Sequence, residues 1–258
     1  MHRNTAQFRF YEELNDFLPP GKKKTAVPYH FSGSPSIKDA IEAIGVPHPE
    51  VELILVNGVS VGFDYRLQNG DHVSVYPVFE SLDVSPLIRL RGAPLRRVAF
   101  VLDVHLGKLA KLLRMLGFDT EYRNDYGDAE IIELAVNDKR IVLTRDRGIL
   151  KTKSVTHGYW IRSSDPEEQV REVIARFDLR ALVKPFHRCM ACNGILEEVE
   201  KSAIRDRLPP RPARYFDEFY QCLDCEKVYW KGSHYDNMNM CVQEILRYGN
   251  LKNRRGKQ

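Results

Sequence analysis

Two groups of residues in this sequence have the types and spacing to do chemistry: aspartates in the middle of the chain and cysteines further on. Asp103 ends the apolar segment VAFVLD and Asp146 ends RIVLTRD, while Asp125 and Asp128 lie in the polar stretch between them. Clustered carboxylates repel one another unless a cation lies between them, and oxygen ligands favour Mg²⁺ or Mn²⁺. If the fold brings these aspartates together, they form a site for one of these ions.

The elements around the aspartates indicate how they could meet. Apolar strand-like segments alternate with helical patterns from Val98 to Leu150, which predicts an α/β region with a parallel sheet and helices on its faces. The first helix is predicted from leucines at helical spacing between Leu106 and Leu116, and a second helix at residues 128–137. In such sheets ligands bind outside the carboxyl ends of the strands. All four aspartates are therefore expected at one sheet edge.

Each aspartate also has a structural alternative. Asp165 stands in SDPEE, which supplies an N-cap, a proline at the first helical position and a glutamate at the third, so we leave it out of the site. Asp128 could cap a helix too, although Ile131 occupies the reciprocal position. Asp146 could pair with its neighbouring arginines, and Asp103 ends a buried strand, where a bare charge is costly. Taken together, the four aspartates favour a metal site.

Other chemistries lack their residues. The segment Leu106–Leu109 reads LGKL and has neither the first glycine nor the hydroxyl of a phosphate-binding P-loop, and there is no GxGxxG motif. A phosphoryl-accepting receiver domain would want a pair of acids at the end of its first strand, where only Asp103 is present. Serine, histidine and aspartate do not assemble at a familiar spacing.

The cysteines form two CxxC pairs, which present two thiolates each from a tight turn: Cys189 with Cys192, and Cys222 with Cys225. Two such turns complete a tetrahedron around Zn²⁺, and four thiolates leave no open position, which predicts a structural zinc. His187 and His234 are alternative ligands, and Cys241 is expected in a tail helix, Met240–Tyr248. The spacer between the pairs, rich in charge and proline, is expected to carry a loop.

Aromatic residues accompany the cysteines. Tyr220, Tyr229 and Trp230 can stack bases beside the basic end LKNRRGKQ, or they can pack the small core of the ribbon. Both interpretations stay open at this point.

The N-terminal segment has a different organisation. Strand, strand, helix, strand and strand follow in order up to residue 80, with a helix predicted at Ile37–Ile44 and hairpin turns at Asn57-Gly58 and Asn69-Gly70. This order resembles the β-grasp, ubiquitin-like fold, and LILVNGVSV with LQNGDHVSVYP looks like its small sulfur-carrier members. Carriers need a terminal diglycine, whereas this strand continues into Val78, Phe79 and Glu80. A docking or structural role is therefore the preferred interpretation.

The length, composition and net charge of the chain limit the possible classes of protein further. The chain has 258 residues, 43% of them hydrophobic, with a net charge of +4 and a pI near 8.7, which permits nucleic-acid binding. There is no apolar run of about 18 residues and no hydrophobic signal core at the start, so no membrane partner and a cytoplasmic protein are expected. The predicted domains are 1–80 (β-grasp), 81–97 (a basic linker), 98–184 (the α/β region with the aspartates) and 185–258 (zinc ribbon and tail helix).

The residues quoted above carry a resemblance that spans nearly the whole chain. The segments LDVHLGKLAK, RMLGFDT and TRDRG closely resemble the Mut-seven C-terminal RNase family, a branch of the PIN-domain nucleases. The CxxC pairs are similar to that family's zinc ribbon, and the β-grasp segment is similar to the ubiquitin-like domain often joined to it. The resemblance implies a PIN-like three-layer α/β/α domain between these two parts.

The same resemblance implies a function. PIN enzymes hold Mg²⁺ or Mn²⁺ with three or four acids and cleave RNA, so Asp103, Asp128 and Asp146 are the implied ligands, with Asp125 as a possible fourth. Hydrolysis would leave a 3′-hydroxyl and a 5′-phosphate.

Basic residues lie close in sequence to these acids. Lys108, Arg145 and Arg147 could neutralise phosphate charge. His105 could act as a general base, or it could be a surface helix histidine.

A second hypothesis uses the same fold without its chemistry. Many PIN proteins carry an acid on the helix after the first aspartate, and His105–Leu116 has none. The alternative is a catalytically weak RNA-binding or adaptor protein with a structural zinc ribbon. The β-grasp domain could contact a protein partner under either hypothesis.

Overall fold

The structure is a computed structural model that describes residues 3–77 and 98–255, with side chains up to Arg247. The predicted linker at 81–97 and the predicted strand continuation through Val78, Phe79 and Glu80 lie outside the described residues.

The N-terminal part is a five-stranded sheet covered by one helix. In chain order its elements are β1 (Asn4–Phe10), β2 (Ala26–Phe31), α1 (Ile37–Ile44), β3 (Leu53–Val56), β4 (Val59–Ser60) and β5 (His72–Tyr76). The strand order is β2-β1-β5-β3-β4, with β1 parallel to β5 and the other pairs antiparallel. Phe8, Phe10, Ile41 and Ile54 are buried between helix and sheet. This is the β-grasp topology that the sequence predicts.

Helix α1 has the predicted bounds because its ends are encoded locally. The Ser36 hydroxyl oxygen accepts the Asp39 N–H at 3.1 Å, which satisfies one of the free amides of the first turn. Gly45 follows at φ +128°, a conformation that other residues rarely adopt, and ends the helix.

The central part begins with a buried strand. The elements of its first half are β6 (Ala99–Leu102), a 3₁₀ turn (Val104–Leu106), α2 (Gly107–Met115) and β7 (Asp119–Glu121). Strands β6 and β7 are parallel, and α2 connects them. Gly117 ends this connection at φ +93°, and a Cβ there would lie 2.1 Å from the Lys184 carbonyl oxygen. Glycine is therefore required by both the backbone conformation and the space.

The second half of the central part repeats the alternation. Its elements are α3 (Asp128–Asn137), β8 (Ile141–Thr144), α4 (Arg147–Leu150) and β9 (Gly158–Trp160). Strands β8 and β9 are parallel, and all four residues of β8 are buried. The predicted bounds of α3 and β8 agree with the structure, whereas the short helix α4 follows from no apolar pattern.

The C-terminal part contains the cysteines. Its elements are α5 (Pro166–Arg176), β10 (Leu196–Val199), α6 (Lys201–Ile204), α7 (Pro210–Tyr215), β11 (Phe219–Cys222), β12 (Val228–Trp230) and α8 (Ser233–Arg255). Strands β10, β11 and β12 form an antiparallel sheet in that order. We call residues 187–230 the ribbon.

The spacer between the cysteine pairs carries two short helices in addition to loop residues, and Pro210 opens α7 at its first position, where a missing N–H has no consequence. The predicted bounds of the tail helix were wrong. The tail helix begins at Ser233 and reaches Arg255, far beyond the predicted bounds Met240–Tyr248.

The chain divides into two compact units. One comprises Met1–Arg97 with Asp128–Trp160, and the other comprises Val98–Gly127 with Ile161–Gln258. The predicted fold class is confirmed: the protein is mixed α/β, with an N-terminal β-grasp sheet, central parallel strands with helices, and a C-terminal cysteine cluster. Among the described residues, no helix is long and apolar enough to cross a membrane.

Candidate functional site

The four ribbon cysteines come together as the sequence predicts. Their sulfur atoms all lie within 4.8 Å of one another, with 3.6 Å between Cys189 and Cys225 and 3.4 Å between Cys192 and Cys222. A tetrahedral zinc with Zn–S bonds of about 2.3 Å has sulfur–sulfur edges of about 3.8 Å. The sulfurs are too far apart for disulfides, in which the bond is about 2.05 Å long. The cluster can therefore hold a metal ion such as zinc.

The surroundings of the cluster already favour a thiolate at one position. Burial acts to raise the pKa of Cys189, but hydrogen bonds from Tyr229 and from the backbone N–H groups of Cys192 and Ala191 outweigh it and lower the pKa to about 7. The Tyr229 hydroxyl lies 3.0 Å from the Cys189 sulfur, and burial together with this contact raises the pKa of Tyr229. Burial raises the pKa of Cys192 to about 12. Four neighbouring cysteine thiols bind a metal cation by giving up their protons to solvent, so this cluster suits a cation.

Asn193 joins the first cysteine turn to strand β7. Its side-chain oxygen accepts the Thr120 N–H at 2.9 Å, and its amide nitrogen donates to Asp119 Oδ1 at 2.8 Å. Asn193 itself has φ +74°, which asparagine tolerates better than most residues. The bidentate contact fixes this turn on the parallel strands of the same unit.

Arg114 makes a second link between the same elements. Its side chain is 3% exposed and donates to the carbonyl oxygens of Thr120 at 2.9 Å and Ala191 at 3.0 Å. Burial lowers the pKa of Arg114 from its ordinary value, although it lies far above neutrality for any arginine. Helix α2, strand β7 and the cysteine turn are thus held by one guanidinium.

The Asn193→Ala variant is expected to lower the free energy of unfolding of this unit by about 2 kcal/mol, because two buried hydrogen bonds are lost. The measurement is denaturant unfolding of the zinc-loaded protein. Asn193→Gly is the matched control: it loses the same bonds but relieves any strain at positive φ, so it should be the less destabilised variant. An alanine variant as stable as the wild type would show that the link carries no stability.

Two of the predicted acidic ligands lie in the second unit. Asp103 follows β6, is 4% exposed, and accepts the His105 N–H at 2.9 Å, which caps the 3₁₀ turn. Asp125 is exposed and forms an ion pair with Arg123 at 2.7 Å; the hydrogen bond from Arg123 lowers its pKa. His105 lies at the surface.

The other two predicted ligands lie in the first unit. Asp128 is the first residue of α3 and is exposed. Asp146 follows β8 and caps α4, since its Oδ1 accepts the Gly148 N–H at 2.6 Å. Asp103 and Asp146 therefore have corresponding positions, each directly beyond the carboxyl end of a buried strand and each capping the turn that follows.

Asp165 has the structural role that its sequence context predicts. It caps α5, and its Oδ1 accepts the N–H groups of Glu167 and Glu168 at 3.0 Å each. The Glu168 side chain pairs with Arg171 at 2.6 Å instead of completing the capping box.

The turn that carries Asp146 is held by Trp160. The Trp160 indole N–H donates to the Arg145 carbonyl oxygen at 3.2 Å, and its ring centroid lies 4.1 Å from the Arg147 guanidinium carbon and 5.2 Å from the centroid of Phe17. The Trp160 backbone N–H donates to the buried Glu50 at 2.6 Å. Two residues of the β-grasp segment thus support the turn through one tryptophan.

The predicted phosphate contacts have different surroundings. Lys108 and Arg145 are exposed. Arg147 lies over the rings of Trp160 and Phe17 and donates to the Asp16 carbonyl oxygen at 3.3 Å. Its role as a phosphate contact stays a prediction.

Comparison with protein-family models identifies two regions of the chain. A family model described as the Mut7-C RNAse domain matches residues 98–242, more than half of the chain. The chain belongs to the Mut7-C RNase domain family. A second model, described as Mut7-C ubiquitin, matches residues 3–83, where the structure has its β-grasp sheet. No curated protein and no solved structure matched the chain. The Mut7-C domain indicates a nuclease-like function.

Sequence reasoning missed three residues that support this Mut7-C domain. Arg114 is spaced four residues from the buried Ala110, and an arginine on an apolar helix face is a signal that could have been read. Asn193 directly follows the second cysteine of its pair, where a turn commonly needs positive φ. Trp160 gave no signal, because its partners Glu50 and Phe17 are distant in sequence.

Proposed function

We propose that this Mut7-C protein is a metal-dependent ribonuclease that hydrolyses RNA phosphodiester bonds. The observation that carries the proposal is the family match over residues 98–242, within which Asp103 and Asp146 each stand directly beyond a buried strand. The carboxyl ends of parallel strands are where such folds bind their ligands.

Asp103, Asp128 and Asp146 would hold Mg²⁺ or Mn²⁺, with Asp125 as a fourth ligand. Their donor set consists of carboxylate oxygens, which suits these hard cations and would suit zinc less well than the ribbon thiolates do. When bound, the ion supplies charge stabilisation for the phosphate and lowers the pKa of a water molecule.

The residues of the chain supply position and charge. The caps made by Asp103 and Asp146 fix one oxygen of each carboxylate on a backbone N–H, which limits how far the other can move. Lys108 and Arg145 would neutralise phosphate charge, as would Arg147 if it turns away from its two rings. His105 lies at the surface, two residues after Asp103. A proton-transfer role for its imidazole can be tested once the metal ligands are established.

The Asp146→Asn variant is expected to lose Mn²⁺-dependent cleavage of single-stranded RNA by at least about 100-fold, on the scale found when one electrostatic group is removed from an active site. Asparagine keeps the size and can still cap α4, so the fold should persist. The measurement is cleavage of a labelled RNA by full-length protein, with zinc retained and Mn²⁺ added.

The matched control is Asp165→Asn, which makes the same change at a helix cap and should leave cleavage nearly unchanged. Equal cleavage by the wild type and the Asp146 variant would place the activity elsewhere. Wild-type protein that binds RNA but does not cleave it with Mn²⁺ or Mg²⁺ would support the alternative, a catalytically weak RNA-binding or adaptor protein.

A protein partner for the ubiquitin-like domain is a separate proposal. Its support is the match of residues 3–83 to a ubiquitin-like family, a fold that often binds other proteins. Co-purification of the full chain with and without residues 3–77 would test it.

A further inference from the structure

A broad cleft of about 1290 Å³ lies within the second unit beside the ribbon's cysteine cluster, and none of the four cysteines lines it. It is lined by the start of α2, by the segment after β7, and by β12 with the first turn of α8. Every charged side chain that lines it is basic: no aspartate or glutamate of the described residues takes part. The cleft therefore attracts anions.

Three of its cations form no ion pair with a carboxylate among the described residues. Lys108 and Lys111 are three residues apart on one face of α2, both are exposed, and neither pairs with a carboxylate in the described part of the chain. Lys227 directly precedes β12 and is exposed, with its ammonium nitrogen 5.9 Å from the ring centroid of Tyr229. Arg114 and Arg123 also line the cleft, but the first is bound to carbonyl oxygens and the second to Asp125. The three lysines are the charges available to a ligand.

Aromatic side chains line the same cleft. Trp230 and Tyr235 line the cleft and are half-buried, so part of each side chain remains accessible. The ring of Tyr235 packs at an angle of 45° against Phe186, with 4.6 Å between the ring centroids. Within the described residues the indole N–H of Trp230 has no hydrogen-bond acceptor. Tyr229 also lines the cleft, but its hydroxyl is committed to Cys189.

One end of the cleft adjoins a predicted metal ligand. His105 and Gly107 line it, and the His105 N–H is the group that the Asp103 carboxylate accepts at 2.9 Å. A chain lying in the cleft would therefore reach the end of β6.

We propose that this cleft binds single-stranded RNA, with phosphates on Lys108, Lys111 and Lys227 and unpaired bases stacked on Trp230 and Tyr235. Lysines neutralise phosphates without regard to sequence, and a base must leave its duplex before an aromatic ring can stack on its face. That the bound strand is also the substrate rests on the proposed function.

The test measures binding without cleavage. Full-length, zinc-containing protein is titrated into a fluorescein-labelled oligouridylate, followed by anisotropy, with no Mg²⁺ or Mn²⁺ added and no chelator. Lys108→Gln with Lys111→Gln should weaken binding by about ten-fold and reduce the slope of log K against log salt by about 1.4, since each phosphate contact to a single strand contributes about 0.7. Lys22→Gln with Lys24→Gln, two exposed lysines of the β-grasp segment, is the matched control and should bind as the wild type does.

Trp230 is tested by a graded pair. Trp230→Leu should weaken binding at least about five-fold, the smallest effect expected from losing one stacked base, and Trp230→Phe should retain most of it. Zinc content and circular dichroism establish that each variant is folded; if Trp230→Leu is not, the surface lysine pair decides alone. Equal affinity of the lysine variant and its control, or equal binding of duplex and single-stranded RNA, would overturn the inference.

The outcome is distinguishable from failure of the proposed function. Protein that binds through these residues but does not cleave with Mn²⁺ refutes the ribonuclease and retains the binding site. Protein that cleaves, and whose lysine and Trp230 variants keep the wild-type KM, retains the ribonuclease and refutes this cleft.

Discussion

The Cys192→Ser variant is expected to lose zinc and to unfold the ribbon. Wild-type protein purified without chelator should carry one zinc ion per chain, because four thiols whose sulfurs lie within 4.8 Å of one another match a tetrahedral site. Serine removes one thiolate and leaves three. Elemental analysis should show the loss, and limited proteolysis should cut within residues 187–230.

The size of the effect follows from the small core of the ribbon. Its strands have four, four and three residues, and its large buried apolar side chains include Ile204 and Phe219. Such a core stabilises little, whereas a thiolate-bound zinc supplies on the order of 10 kcal/mol of apparent binding free energy, which becomes folding free energy. Since Asn193 and Arg114 tie the cysteine turn to β7 and α2, these elements should lose protection from hydrogen exchange as well.

The matched control is Cys241→Ser, which removes the fifth cysteine. Cys241 lies in α8 outside the cluster, so zinc content and protease resistance should not change. Zinc-free wild-type protein with a protease-resistant ribbon would contradict the prediction.

The Trp160→Ala variant is expected to destabilise the first unit by about 3 kcal/mol, the lower end of the range for removing a large packed aromatic side chain. The loss includes the ring contacts with Phe17 and Arg147 and the hydrogen bond to the Arg145 carbonyl oxygen. Denaturant unfolding measures the stability. Because the same contacts hold the turn with Asp146, RNA cleavage should fall while oligouridylate binding, which uses the other unit, should not.

The Trp160→Phe variant separates the contribution of the ring contacts from that of the indole hydrogen bond. It keeps a ring beside Phe17 and Arg147 but cannot donate to Arg145, so it should cost about 1 kcal/mol, as expected for one hydrogen bond. A Trp160→Ala protein within about 0.5 kcal/mol of the wild type would show that the turn is held by other contacts.

The sequence predicts those elements whose limits are encoded locally. Helix α1 begins at a serine cap and ends at a glycine, and Asp165 caps α5 ahead of Pro166, so both positions follow from neighbouring residues. The tail helix was underestimated because its first turns, SHYDNMN, have no apolar periodicity to reveal them. Without an apolar stripe, a helix cannot be distinguished from a polar loop.

The candidate site was also predictable only in part. The cysteine cluster was predictable, since CxxC spacing fixes two thiolates on one turn and only the pairing of turns depends on the fold. The surroundings of Arg147 were not, because its rings come from residues 17 and 160 and the sequence shows only its charge. The four aspartates as one metal site stay a prediction, for which the Asp146→Asn assay is the test.

The division of the chain into interleaved units has a consequence for its synthesis. The first unit needs residues 128–160, which leave the ribosome after 98–127 of the second unit. The β-grasp sheet can form early, but the bond from Trp160 to Glu50 spans 110 residues and that from Arg147 to Asp16 spans 131. Contacts of such separation form late and slowly. A fragment restricted to residues 98–242 would never acquire them, so nascent chains and truncated proteins should share an unsupported Asp146 turn.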